Sequence, residues 1–348
     1  MAQRFHINPT TGDPGACRAE VVCPFGNSDL HYDSREQARK AYENSRETFE
    51  NYAPFADVTT EELQNLEEES LRKHRREGTP LSDEEYMRHY ELVKRIRTEN
   101  PSTHKTFTTK VEGKMVYTEE RRLQQIALLD DLEREFKNVP KNNQALITGG
   151  ITGSGKTTAL RKQKDLRAEN YALISVDAVK EKMAEMKMTP EIPGVLPLET
   201  DDLIKFEATL LSKEFFDRLS STGTNVVLDK TMAGEKPLRD EINLLRNRGY
   251  TKITAVFVDV DPVDAHERIR GRHKRGIDTY LETGQGYGER AVPGGAIQGA
   301  MTTNPEFRSK NAEVFHMIAS ENAFDEFHIF DSSKNGERLT LETLRQSA

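Results

Sequence analysis

Eight consecutive residues, Gly150, Ile151, Thr152, Gly153, Ser154, Gly155, Lys156 and Thr157, satisfy the pattern G-x-x-x-x-G-K-[ST]. Glycines at these intervals let the backbone curl so that its N–H groups face phosphate oxygens at a helix amino terminus. Lys156 then reaches the β- and γ-phosphates and the Thr157 hydroxyl reaches Mg²⁺, with Thr158 completing the loop's exit. The chemistry specified is binding of a nucleoside triphosphate with its metal. A glycine-rich turn matching by chance is the plain alternative, but the apolar run ALIT (145 to 148) precedes the loop and the helical stretch TALRKQKDLRAE follows it.

What is done with the triphosphate depends on other residues. No NKxD-like guanine-reading sequence follows a strand, and no strand ends in the Asp-Glu of a motor ATPase, which leaves a small-substrate kinase. Such an enzyme needs a base near the acceptor hydroxyl, a shelf that holds the acceptor, and arginines over the transferring phosphoryl group. Asp177, at the carboxyl end of the run YALISV, is the candidate base; capping the following helix AVKEKMAEM is its structural alternative. Asp229 and Thr231 end the run NVVLD in LDKT and offer a carboxylate and a hydroxyl to the acceptor, or Asp229 serves Mg²⁺ indirectly. Arg268, Arg270, Arg272, Lys274 and Arg275 crowd the segment HERIRGRHKRG, and Arg290 lies in the glycine-dense ETGQGYGERAVPGG, so a closing lid is expected there. Some of these cations would only complement a helix dipole.

The elements that must position these residues alternate. Five strands are expected at 145–148, 171–176, 225–229, 253–260 and 326–330, separated by helical segments, so the fold class is α/β with a parallel sheet covered on both faces. A helix with Leu123, Ile126, Leu129, Leu132 and Phe136 on one face leads into the first strand. Upstream, Ser34 with Gln37, Thr59 with Glu62 and Ser82 with Glu85 read as capping boxes, opening helices with narrow apolar stripes. Residues 99 to 117 read as a linker. Three domains are expected: a loop-rich Cys/His module with a helix (1–55), a charged helical segment with linker (56–110) and a P-loop kinase domain (111–348).

From about residue 118 to 331 the chain resembles the zeta-toxin kinases. The resemblance rests on GGITGSGKTT, on VDAVK with Asp177, on FEATLLSKEF with Glu207, on NVVLDKT, and on the two arginine segments. It implies phosphorylation of UDP-N-acetylglucosamine at the 3′-hydroxyl of its amino sugar, with ATP and Mg²⁺. It further implies that Lys156, Arg272 and Arg290 stabilise the transferring phosphate, that Asp177 deprotonates the acceptor, and that Glu207, Asp229 and Thr231 hold it. Where toxin members often read Glu-Gly-Thr followed by arginine, this chain reads Asp229, Lys230, Thr231, Met232 and Ala233, a shorter carboxylate and a missing arginine. Related P-loop kinases act on NAD, so a kinase of NAD or of another nucleotide ribose is the alternative within the class. An ATP-binding regulatory or scaffold protein without transfer is the alternative outside it.

The composition narrows the partners. Fifty Lys plus Arg against 58 Asp plus Glu give a net charge of −8, which argues against general nucleic-acid binding. No run approaches a membrane span and the start MAQRFHINPTTG has no apolar signal region, which reads as cytoplasmic. His6, Cys17, Cys23 and His31 could supply tetrahedral ligands to zinc, although their spacing fits no standard finger and reduced, partly buried cysteines are the plainer reading. Zeta toxins are restrained by a small helical antitoxin, so either an antitoxin in trans or cis-inhibition by residues 56 to 100 is expected; a spacer or dimerisation element is the plain alternative.

Overall fold

In the computed structural model, residues 5–7, 14–16, 34, 36, 37, 58–163, 166–292, 297, 299, 300, 302, 304 and 306–332 are described. The chain divides into two compact units, Met1–Glu62 and Leu63–Ala348. In the first, strands β1 (Phe5–Ile7) and β2 (Pro14–Ala16) pair antiparallel. The Gln37 N–H donates to Ser34 Oγ at 3.1 Å, and Thr59 and Glu62 satisfy each other's backbone N–H groups as a reciprocal cap. The helix expected behind Ser34 lies outside the described residues, as do the His6 side chain, Cys17, Cys23 and His31, on which the zinc reading rests.

The second unit holds a five-stranded, wholly parallel sheet in the order β6-β7-β5-β8-β9, formed by β5 (Gln144–Gly149), β6 (Ala172–Ile174), β7 (Val226–Asp229), β8 (Lys252–Asp259) and β9 (Glu326–Asp331). All five expected strands are present. The second is shorter than expected because Ser175 leaves the sheet as a helix cap. Alternation along β8 shows why its apolar run is continuous. Ala255 and Phe257 join the main core with Ile147, Phe215 and Phe315, while Val256 and Val258 face the opposite side with Ala159 and Leu160. From β5 the chain winds first toward β6 and β7, then crosses to β8, so the crevice at the carboxyl end of β5 is the switch point where such sheets place ligands.

Two expectations are corrected. Residues 99–117 are not a plain linker: they form a short helix, Thr103–Thr106, and the antiparallel pair β3 (Thr108–Val111) and β4 (Lys114–Tyr117). Glu112 and Gly113, both at positive φ, make the two-residue turn that this pairing needs. The helix Glu119–Glu135 buries Arg121, Gln125, Leu128, Leu129 and Leu132, whereas Leu123 is 62% exposed. The buried stripe is rotated because Arg121 and Gln125 are drawn in by the buried carboxylate of Glu207.

The charged helices α1 (Thr60–Glu77) and α2 (Asp83–Glu99) belong with the sheet rather than to a separate segment, because residues from Leu63 onward share its compact unit. Ser82 and Glu85 form the expected capping box, and the Ser82 hydroxyl holds the Glu85 carboxyl down at about 2. Leu71, Leu81 and Tyr86 pack with Ile277 and Leu281 of a third helix, α3 (Pro262–Thr283). Beneath them lies a buried polar chain. His89 Nδ1 meets Glu67 Oε2 at 3.1 Å, His89 Nε2 meets Glu199 Oε1 at 2.8 Å, His273 Nε2 meets the same oxygen at 2.9 Å, and Tyr86 hydroxyl meets His273 Nδ1 at 3.1 Å.

Burial alone would push the His89 imidazolium toward its neutral form, but the Glu199 and Glu67 carboxylates outweigh it and lift the pKa to about 10. Burial would likewise raise Glu199, yet His89 and His273 hold it well below the usual carboxylate range. A raised histidine stabilises the fold fully below its ordinary 6.5, and that stability is lost as pH climbs through about 10. The thermal midpoint therefore falls by several degrees from pH 6.5 to pH 10. Glu199→Gln, which removes one of the two carboxylates on the buried His89 imidazolium, costs about 3–5 kcal/mol at pH 6.5 in denaturant titration. A flat midpoint across that range would exclude the charged state of His89.

Candidate active site

The loop after β5 has the backbone its glycines predict. Gly150, Gly153 and Gly155 have φ of 125°, 84° and 90°. A methyl at Gly150 would lie 2.3 Å from the Val258 carbonyl oxygen and one at Gly153 2.7 Å from that of Ala265, so both positions require glycine on conformation and on space. Gly155 caps the helix Lys156–Lys162, whose first turn carries Lys156, Thr157 and Thr158. Lys156 Nζ donates to the Gly150 carbonyl at 3.2 Å. Its ammonium pKa is pushed down by burial, with Asp229 and Asp177 opposing and Arg290 and Arg272 reinforcing, so these four charges converge on it.

Asp177 does not cap its helix. Ser175 does, accepting from the Asp177 N–H at 3.2 Å, and Asp177 sits in the first turn of Val176–Glu185 with its carboxylate not used in the cap. Arg290 Nη1 lies 2.5 Å from Asp177 Oδ2, and Lys180 Nζ lies 3.9 Å from Oδ1. Asp229, at the end of β7, is held by Thr148 Oγ1 at 3.0 Å and Ser175 Oγ at 3.4 Å, which fixes its carboxylate beside the loop. Thr231 contributes its backbone: its carbonyl accepts from the Gly150 N–H and from the Asn311 side chain at 2.7 Å, while the residue itself is exposed.

The arginine-rich segment lies within the helix α3, and its cations divide by face. On one stripe of α3, Arg268 donates to the Gly153 carbonyl at 3.5 Å and to Ser332 Oγ at 3.0 Å, and so braces the loop. One turn on, Arg272 lies 3.4 Å from Glu289, and its buried Nε and Nη2 have no hydrogen-bond acceptor among the described residues. On the other stripe Arg270 meets Met87 Sδ at 3.8 Å and Lys274 donates to the Leu81 carbonyl at 2.9 Å, both toward α1 and α2. Of these four, Arg272 is the one with buried guanidinium nitrogens that lack a hydrogen-bond acceptor among the described residues, as a phosphate ligand would need.

Glu207 is not part of this cluster. It is fully buried, its two oxygens held by Arg121 Nε and Nη2 at 2.8 and 3.0 Å, with Gln125 at 2.7 Å. Residues the sequence reading passed over are Ser175, Thr148, Lys180 and Glu181; the Ser175 hydroxyl before Asp177 was the one local signal. A cleft of about 450 Å³ is lined by Ser175, Glu181, Lys182, Tyr287 and Glu289, among others, the sequence neighbours of Asp177 and Arg290 rather than those two residues themselves. Burial and then Glu289 push the Glu181 carboxyl up, while Lys182 is tied to Asp131 and Glu135.

A parallel sheet in this order, a glycine loop at its switch point and arginines brought to that loop by a following helix define a P-loop kinase. Residues 128–335, more than half of the chain, match the zeta toxin family, and the chain belongs to that family of ATP-dependent phosphotransferases. No curated protein sequence matches it. Among solved structures, the AvrRxo1-ORF1:AvrRxo1-ORF2 complex with sulphate ions is similar with a TM-score of 0.54 and 15% identity over 72% of this chain and 81% of that one. The same complex with ATP gives 0.52, again at 15% identity over 72% and 81%. The PezAT toxin-antitoxin system of Streptococcus pneumoniae gives 0.43 at 18% identity, over 62% and 79%. The AvrRxo1 structures share the fold. Among the described residues no helix is long and apolar enough to cross a membrane.

Proposed function

We propose that the protein transfers the γ-phosphoryl group of ATP to a hydroxyl of a nucleotide-like small molecule, with UDP-N-acetylglucosamine the first acceptor to test. The observation that carries this reading is the convergence of Lys156, Asp177, Asp229, Arg272 and Arg290 at one sheet edge. The residues present fit a bound triphosphate: the glycine loop leaves a cradle, and buried Arg272 Nη2 and Ser154 Oγ lack hydrogen-bond partners among the described residues. Bound Mg·ATP supplies the phosphoryl group and the divalent charge. Lys156 and Arg272 neutralise the charge that develops on the transferring group, and Thr157 with Asp229 would hold the metal and its water. Asp177 takes the acceptor proton, for which Arg290 must turn from its carboxylate toward the phosphoryl oxygens. Glu207 is better assigned to scaffolding than to the acceptor.

A second reading, phosphorylation of an NAD ribose, is favoured by the charge of the cleft. Glu181 and Glu289 line it, and its lysine, Lys182, is already neutralised by carboxylates. Both acceptors carry a diphosphate, but NAD adds a cationic pyridinium that such an acidic wall favours. An antitoxin in trans remains part of the proposal through the family. The helices α1 and α2, once candidates for an inhibitor in cis, pack on α3 and are better read as its support. The test is mass spectrometry of UDP-N-acetylglucosamine, NAD and nucleosides incubated with the protein and Mg·ATP. A gain of one phosphoryl group on the nucleotide sugar is expected. Gain on NAD instead selects the second reading, and no gain on any acceptor, with ATP bound, would return the protein to the non-catalytic class.

A further inference from the structure

Arg97 lies in the last turn of α2, upstream of the residues that match the family. Its side chain is 9% exposed and reaches two separate parts of the site. Nη2 donates to Asp201 Oδ1 at 3.2 Å and also to the carbonyl of Ala291, the residue directly after Arg290, while Nε lies 3.2 Å from Asp202 Oδ2. Asp201 in turn accepts from Lys180 Nζ at 3.2 Å through its other oxygen, and Lys180 is the cation 3.9 Å from Asp177. One guanidinium thus fixes the backbone that carries Arg290 and, through Asp201, the lysine that stands beside Asp177.

We infer that Arg97 is a positioning residue for phosphoryl transfer, setting the Arg290 arm and the Lys180–Asp177 pair in register from a helix upstream of the residues that match the family. The inference rests on the roles given above to Asp177 and Arg290. A guanidinium suits the task because its rigid plane spreads donors over separate nitrogens, Nη2 toward Asp201 and the Ala291 carbonyl and Nε toward Asp202. Removing it leaves Asp201 with Lys180 and takes one of the ties, alongside the Leu198 N–H to the Tyr287 carbonyl, from a segment that contains Gly284, Gly286 and Gly288, all at positive φ. Displacement of a reacting group by an ångström costs on the order of 100-fold in rate, so a partial release is expected to show in turnover before it shows in binding.

Two measurements on the full chain test this. In hydrogen–deuterium exchange, Arg97→Gln raises exchange in peptides covering 284–292 about fivefold or more, with β5 and β8 peptides unchanged, and Arg97→Lys gives an intermediate rise. In ATP consumption with the acceptor found by mass spectrometry, or with water where none is found, Arg97→Gln lowers kcat about tenfold with KM for ATP within twofold. Unchanged exchange in 284–292 overturns the inference, as does a rise that extends into β5 and β8, which would make Arg97 a folding residue. Raised local exchange with kcat unmoved also overturns it. A local exchange response in a protein whose Asp177→Asn variant consumes ATP at the wild-type rate marks failure of the catalytic reading instead, so the two failures are distinguishable.

Discussion

Asp177→Asn lowers phosphoryl transfer by about 10²–10⁴-fold while leaving ATP affinity within a few-fold of wild type, the loss expected when a positioned base is removed. The substitution is nearly isosteric, and helix capping does not depend on it, since the Ser175 hydroxyl makes the cap. Fraying of Val176–Glu185 therefore cannot account for the loss, and the melting midpoint should stay close to wild type. The result also separates two meanings of the Arg290–Asp177 contact at 2.5 Å. If Asp177 served only to park the arginine, an amide would release Arg290 and transfer would persist or rise. Quenched-flow measurement of product from saturating Mg·ATP decides between them, and transfer within tenfold of wild type would remove Asp177 from the role of base.

What could be read from the sequence was local. The glycine loop announced itself because three positions need positive φ or close approach, and the strands of the sheet because both faces are covered and their apolar runs are continuous. The helix before β5 was rotated in the reading because a periodicity argument takes buried positions to be apolar, while Arg121 and Gln125 go inward to meet Glu207. The same contact took Glu207 away from the acceptor. The hairpin Thr108–Tyr117 was missed because its apolar residues, Val111, Met115 and Val116, are few, exposed and without a regular alternation that would mark strands. Least legible was the chain Glu67–His89–Glu199–His273, since lone histidines far apart in sequence carry no spacing. Segregation of the α3 cations also needed the structure: only the fold tells which stripe of that helix meets the loop and which meets α1 and α2.

Arg290→Ala lowers kcat by about 10³-fold, the scale at which an arginine over a transferring phosphoryl group acts, and Arg290→Lys recovers little because an ammonium lacks the planar fork. The ligand-free geometry makes the sign of this effect informative. Arg290 neutralises Asp177 directly, and its side chain is 15% exposed, so the pair could equally be a latch whose removal frees the base. Under a latch, Arg290→Ala would raise turnover; under transition-state stabilisation it lowers kcat and leaves KM for ATP nearly unchanged. Arg268→Ala, on α3, provides the contrast. Its guanidinium braces the Gly153 carbonyl and Ser332, so its loss should weaken ATP binding first, raising KM more than it lowers kcat. A steady-state series over ATP concentration for the two variants separates chemistry from cradle, and a rise in kcat for Arg290→Ala would reassign the arginine from catalysis to restraint.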